Sequence, residues 1–196
     1  MTSSPAGASE DRKVLLRSLE TLDFESVLEV GCGFGRIMKL VLDKFPNMRR
    51  IKGIDLSPQQ IENCQRYIPN LEKVELSTGT IQDLPEADNS YDLVIAIEVL
   101  MHIPFGEVEL ALSQMIRVAR KYIVNLDWYR PIPEETGGYC FAHDYSLIYR
   151  NLGIQDVRIV PVPRPFVYSV TFGLDEGLKI SRFRREQQQI WVATKT

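Results

Sequence analysis

The sequence predicts an α/β domain, a largely parallel sheet with helices packed on both faces. Three observations predict it. Short apolar runs alternate with amphipathic stretches over most of the chain. One run, Tyr91–Ile97, is apolar at almost every position, as a strand buried on both faces must be. A third run, Val27–Val30, leads into a turn with three alternating glycines and then into a helical pattern.

Each element follows from local signals. Residues 1–9 are rich in Ser, Ala, Gly and Pro and read as a disordered lead-in, with one domain over residues 10–196. Asp11–Leu22 carries Val14, Leu15, Leu19 and Leu22 at helical spacing, with Ser9 as a candidate N-cap. Ser26–Val30 is a strand and Arg36–Phe45 a helix closed by Pro46. Ile51–Asp55 is a strand. Pro58–Tyr67 is a helix with Ser57 as its N-cap and Pro58 at its first position. Val74–Ser77 and Tyr91–Ile97 are strands, Glu107–Ala119 a helix and Tyr122–Asp127 a strand. Asp144–Leu152 is a helix stopped by Gly153, and Val157–Val160 and Gln189–Ala193 are strands. Pro161–Pro165 is proline-rich, and Phe166–Arg185 has mixed character that assigns to no element.

Composition narrows the function. The chain has 196 residues, a formal net charge of −3, 44% hydrophobic and 25% charged residues. Such a mildly acidic chain has no bulk attraction for nucleic acid or anionic membrane. Its apolar runs are strand-sized, so neither a membrane span nor a signal peptide is expected. Three cysteines, Cys32, Cys64 and Cys140, with no C-x-x-C spacing, point to a reducing cytoplasm.

The informative segment is V-L-E-V-G-C-G-F-G-R, Val27–Arg36. Its glycines, Gly31, Gly33 and Gly35, allow positive φ and a close backbone approach by a ligand, and the helix that follows offers free N–H groups. The next strand ends in Asp55, where a carboxylate can accept from both hydroxyls of a ribose. The bland alternative is that Asp55 merely starts the turn before the Ser57-capped helix. A nicotinamide dehydrogenase would want a third glycine where Arg36 stands, so that reading is disfavoured.

E-V-G-C-G-F-G, then Asp55, then Leu84–Ile103 (L-P-E-A-D-N-S-Y-D-L-V-I-A-I-E-V-L-M-H-I) resemble the successive motifs of class I S-adenosylmethionine-dependent methyltransferases of the small-molecule type. The resemblance covers roughly Ser26–Tyr122. It implies a three-layer, Rossmann-like fold whose seven-stranded, mostly parallel sheet is closed by an antiparallel C-terminal strand, here I-W-V-A-T-K. It implies S-adenosylmethionine as cofactor and S-adenosylhomocysteine as product. Glu29 and the Gly31 backbone would face the cofactor's ammonium group, with Cys32, Gly33 and Gly35 shaping the loop. Asp55 would take the ribose, and Leu56 would lie against the adenine. Where many relatives have an Asp for the adenine amino group, this chain has Thr80, leaving the Ile81 backbone, Gln82 or Asp83 to serve it.

Glu98 ends the fourth strand beside the expected methyl group, and is otherwise a carboxylate without a task. E-V-L-M-H, ending at His102, resembles the Glu-x-x-Glu-His string of quinone-ring O-methyltransferases. Met101 replaces its second acid, so no metal is expected. The stretch Asp127–Tyr145 is dense in aromatic and ionisable residues and reads as an acceptor pocket. His143 and His102 are the candidate bases, because imidazole titrates near neutrality. The alternative for His143–Asp144 is a helix-capping cluster. Lys179, Arg182, Arg184 and Arg185 would grip an anionic acceptor or form a solvated helix face. The leading expectation is O- or N-methylation of a small acceptor by in-line displacement. The alternative is a silent module that holds the cofactor or a partner without turnover.

Overall fold

Helix α1 (Glu10–Leu19) opens the computed structural model, which describes residues 10–129, 133–137, 139–162, 167–173, 177–183 and 187–195. Then come β1 (Ser26–Val30), α2 (Arg36–Lys44), β2 (Arg50–Asp55), α3 (Pro58–Tyr67) and β3 (Val74–Thr78). After β4 (Tyr91–Ile97), a 3₁₀ turn over Leu100–His102 precedes α4 (Val108–Val118) and β5 (Ala119–Tyr129). A hairpin, β6 (Glu134–Gly137) and β7 (Cys140–Ala142), leads to α5 (Tyr145–Asn151) and β8 (Val157–Pro161). The chain closes with β9 (Val167–Gly173), β10 (Gly177–Phe183) and β11 (Gln187–Thr194).

The main sheet has seven strands in the order β3-β2-β1-β4-β5-β11-β8. β11 runs antiparallel to both its neighbours, and the other pairings are parallel. β1 pairs with β2 on one side and β4 on the other, so the strand order reverses there. In an open α/β sheet a ligand crevice forms outside the carboxyl ends of the strands at such a reversal.

The pleat of β1 sends Val27 to one face and Leu28 and Val30 to the other. Val27 joins Leu93, Ile95, Leu15, Met38 and Val41 beneath α1 and α2. Leu28 and Val30 join Val94, Leu112, Met115, Tyr149 and Trp191 beneath α4 and α5. Asp92 ties the lower edge: its carboxylate accepts from the Glu25 and Ser26 amides, the Ser26 hydroxyl and Arg120. Burial alone would raise the Asp92 pKa. Those hydrogen bonds and the Arg120 charge outweigh it and hold the group below its ordinary value.

The expected elements are present, with shifted ends and two additions. α1 stops at Leu19, after which the Leu22 amide bonds back to the Leu19 carbonyl. β5 starts at Ala119, three residues early, because Arg120 and Lys121 satisfy their charges on Asp92 and Asp23 at the strand's edge. The expected pocket stretch after β5 contains the β6–β7 hairpin. The stretch left unassigned contains the antiparallel β9–β10 ribbon, so Lys179 and Arg182 lie on a strand and not on a helix face. Residues 1–9, with the expected Ser9 cap and disordered lead-in, and also Arg130, Arg184 and Arg185, lie outside the described residues.

Candidate active site

The glycine turn leaves β1 at the strand-order reversal. Gly31, Gly33 and Gly35 have φ of 72°, 54° and 86°. The Gly31 and Cys32 amides both bond the Ile54 carbonyl, at 2.7 and 3.0 Å, which fixes the turn against the end of β2. A Cβ on Gly31 would stand 2.4 Å from Val99 Cγ2, so only glycine lets the turn after β4 close on this loop. Cys32 and Gly35 are buried beneath the loop. The Cys32 thiol is raised in pKa by its hydrogen bond with Cys64 and by burial, and it belongs to the packing under the loop.

Asp55 joins this turn to the next helix. Its Oδ2 accepts from the Gly33 amide at 2.8 Å, and its Oδ1 accepts from the Ser57 amide at 2.9 Å. Asp55 therefore starts the turn before α3, as the bland alternative has it, and it also lines the opening. Glu29 lies behind the loop. Burial raises its pKa well above the ordinary value, the Cys64 charge adds to this, and Arg36 and the Met38 amide oppose it. Its buried Oε2 has no hydrogen-bond partner among the described residues.

The far wall is the turn after β4. Glu98 has φ 60°, a left-handed conformation that a non-glycine residue adopts at a cost of about 1–2 kcal/mol. Such strain persists only where neighbours over-determine it. Here Gln188 donates to Glu98 Oε1 at 2.8 Å, and Arg36 approaches Oε2 at 3.5 Å. The Met101 amide donates to Asp127 Oδ1 at 3.1 Å.

These segments enclose a cavity of about 390 Å³. Gly31, Asp55, Leu56, Thr80, Ile81, Gln82, Glu98 and His102 line it, with Val30, Gly79, Val99 and Ile103. Eight of the expected site residues, from five separate elements and loops, thus meet at one opening. Leu56 is 79% exposed there. The Thr80 hydroxyl donates to Gln82 Oε1, and Gln82 Nε2 donates to Glu107 at 3.1 Å, so both side chains are engaged beside the Ile81 backbone. Glu29, Cys32, Gly33 and Gly35 support the loop from outside the lining.

The two histidines part company. His102 is exposed on the cavity wall, with Nδ1 3.3 Å from the Tyr139 carbonyl and 3.6 Å from Cys140 Sγ. His143 is not brought to the cavity. It is 1% exposed, with Nε2 3.2 Å from the Leu100 carbonyl and its ring packed against Phe105, Phe141 and Tyr145. Burial lowers its pKa. Asp144 caps α5 by accepting from the Leu147 amide at 3.0 Å. The expected acceptor stretch is likewise divided: Tyr145 is fully buried, Trp128 half-buried and Tyr139 85% exposed. Among the described residues, no three His, Cys, Asp or Glu side chains converge as a metal-binding group, and no helix is long and apolar enough to cross a membrane.

Asp127 was legible as the strand-end residue that opens the expected acceptor stretch. It is fully buried, and burial, which outweighs its hydrogen bonds from Asn125 and Met101, pushes its pKa up to about 8. A carboxyl raised above its unfolded value favours the folded state fully below the unfolded pKa. That contribution is lost as pH rises through the folded value. Glu29 acts in the same direction, whereas Asp92, held low, acts only in acid. The denaturant midpoint is therefore expected to fall between pH 5 and pH 9, with a smaller fall in Asp127→Asn. Guanidinium titrations across that range check it, and a midpoint that rises with pH would contradict it.

The methyltransferase-domain family matches residues 27–122, from the first strand to the middle of the fifth. An ajmaline N-methyltransferase of Rauvolfia serpentina is 34% identical over 97 residues, which cover 48% of this chain and 32% of that protein. A malonyl-[acyl-carrier protein] O-methyltransferase of Acetivibrio thermocellus is 36% identical over 96 residues, covering 46% and 33%. The chain thus spans about a third of the length of these curated relatives. The crystal structure of a magnesium protoporphyrin IX methyltransferase from Synechocystis PCC 6803, with bound S-adenosylmethionine, superposes with a TM-score of 0.66 at 18% identity, covering 95% of this chain and 78% of that one. At that identity the superposition speaks for the fold.

Proposed function

Because the chain belongs to the class I S-adenosylmethionine-dependent methyltransferase family, we propose that its switch-point cavity binds S-adenosylmethionine and directs methyl transfer to a small organic acceptor. One observation carries this reading: Asp55, the Gly31 turn, Leu56, the Thr80–Gln82 loop and Glu98 line one cavity.

The residues present fit the cofactor. The buried, partnerless Glu29 Oε2 is an acceptor suited to an ammonium group behind the glycine turn. Asp55 uses one lone pair of each oxygen on a backbone amide, which leaves acceptor capacity for a ribose. Exposed Leu56 and the Ile81 backbone suit the two sides of an adenine, with no side-chain acid at Thr80. When bound, the cofactor supplies a methyl group already activated on a sulfonium, so the chain's task is chiefly alignment.

His102 is the cavity-wall group suited to take a proton from an acceptor. Its Nδ1, donating to the Tyr139 carbonyl, leaves Nε2 as the basic nitrogen. Glu98, held by Gln188, orients the same wall. His143 acts by packing. The three cysteines are free thiols, in keeping with work in a reducing cytoplasm. Both N and O acceptors are proposed, as the relatives' names include each kind.

Calorimetric titration tests the cofactor. S-adenosylmethionine and S-adenosylhomocysteine are expected to bind at about micromolar Kd, roughly −8 kcal/mol, and NADH not at all. No binding of the sulfur compounds would defeat the proposal. Label transfer from the methyl group to a panel of amines, phenols and carboxylic acids then tests turnover. Cofactor binding without transfer to any of them would favour the silent module.

A further inference from the structure

Glu98 holds a left-handed backbone, and the residues that follow it, Val99 and His102, form the wall of the cavity. Something must hold this strained turn. The Glu98 side chain is tied to Gln188 and Arg36, its amide donates to the Leu126 carbonyl, and His143 Nε2 lies 3.2 Å from the Leu100 carbonyl, but none of these engages the Val99 or Met101 amide. The contact that fixes it comes from beneath. Asp127, fully buried at the end of β5, accepts at Oδ1 from the Met101 amide at 3.1 Å, and the nearby Val99 amide favours its ionised form. Its Oδ2 accepts from Asn125 Nδ2 at 3.0 Å. Asn125 Oδ1 in turn accepts from the Tyr149 hydroxyl at 3.0 Å. The donors thus converge on Asp127, from α5 through Asn125 on one side and from the turn on the other.

We propose that Asp127 is a positioning residue, whose buried carboxyl group holds the backbone of residues 99–101 and so sets the cavity wall that carries Glu98, Val99 and His102. The consequence for the cofactor, which rests on the function proposed above, runs through Val99: this side chain abuts Gly31 closely enough that an added Cβ would meet it at 2.4 Å. A turn that slips moves Val99 against the glycine loop.

The directional chain supplies the test. In Asp127→Asn, an amide must place its NH₂ against either Asn125 Nδ2 or the backbone amides, so one donor faces another. Asn125→Asp alone sets two carboxyls together. The double variant Asn125→Asp with Asp127→Asn restores a donor and an acceptor to every contact, with the carboxyl moved to residue 125. Amide hydrogen exchange reads the turn without any ligand. Val99 and Met101 are expected to be protected in the native protein, to lose about tenfold or more of that protection in Asp127→Asn, and to recover it within roughly threefold in the double variant. S-adenosylhomocysteine affinity, by calorimetry, is expected to follow the same order.

Unprotected Val99 and Met101 amides in the native protein would overturn the proposal whether or not any variant folds. So would a folded Asp127→Asn with native protection, or a folded double variant that recovers none. A merely structural role would lower the melting temperature without this reciprocal rescue. If the native protein fails to bind S-adenosylhomocysteine, the proposed function fails, while the exchange pattern still decides the role of Asp127.

Discussion

Replacing Asp55 by Ala is expected to weaken S-adenosylmethionine binding by about 100-fold or more, roughly 2.7 kcal/mol. The size follows from what the carboxylate already does. It accepts the Gly33 amide at 2.8 Å and the Ser57 amide at 2.9 Å, joining the glycine turn to the start of α3. Hydrogen bonds to an ionised group contribute about 1.5–3 kcal/mol each. Ala removes both, together with the acceptor offered to a ribose, so the loop loses its anchor and the ligand loses its partner. Part of the loss will appear as a melting temperature lower by several degrees. Asp55→Asn keeps one acceptor oxygen but sets its NH₂ against the second amide, so its affinity is expected between those of native protein and Ala variant. Calorimetry on all three, alongside thermal unfolding, separates the two parts. An Ala variant that binds with native affinity would remove Asp55 from the site.

The parts of the fold legible in sequence are those where one local pattern admits one physical solution. Tyr91–Ile97, apolar at every position but Asp92, reads as a strand covered on both faces, and it lies at the centre of the sheet. Ser57–Pro58 marks a helix start twice over, by a side-chain cap and a preset φ, and α3 begins there. Elements whose pattern depends on distant partners were hidden. Arg120 and Lys121 look like loop residues until Asp92 and Asp23 are seen across the edge, and so β5 begins earlier than its apolar run.

The site divides on the same line. Gly31 and Asp55 are read from the glycine turn and the acid that follows it, and the Thr80–Gln82 loop from the family resemblance; each stands just past or at the carboxyl end of a strand. His143 read as a base because imidazole titrates near neutrality and it lies in the expected acceptor stretch, yet Phe105, Phe141 and Tyr145 enclose it, and two of these are near it in sequence without showing it. Asp127 opened the expected acceptor stretch but gave no signal of its role, since what it holds is the Met101 amide, and backbone partners leave no trace in residue type.

Gly35→Ala is expected to be the most destabilising single change in the loop, by about 2–5 kcal/mol. The first part is conformational: at φ 86° an L-residue costs about 1–2 kcal/mol. The second is steric. The new Cβ would lie 2.4 Å from Cys64 Sγ and 3.1 Å from Ile68 Cδ1, both buried, and overpacking of that kind costs about 1–3 kcal/mol. At roughly 2–4 °C per kcal/mol for a domain of this size, the melting temperature should fall by about 5–15 °C. Gly33 supplies the control, with φ 54° and nothing within 4 Å of an added Cβ, so Gly33→Ala should lose only the conformational part. Equal losses in the two variants would show that backbone geometry alone selects glycine in this turn. The double variant Gly35→Ala with Cys64→Ala then isolates the steric part, because it removes the Sγ that the Cβ meets. Its stability should exceed the sum of the two single losses by about 1 kcal/mol or more, a coupling that residues in direct contact show and distant ones do not. Additive losses would place the strain in φ, and the sulfur-lined packing beneath the loop would then have no part in the choice of glycine.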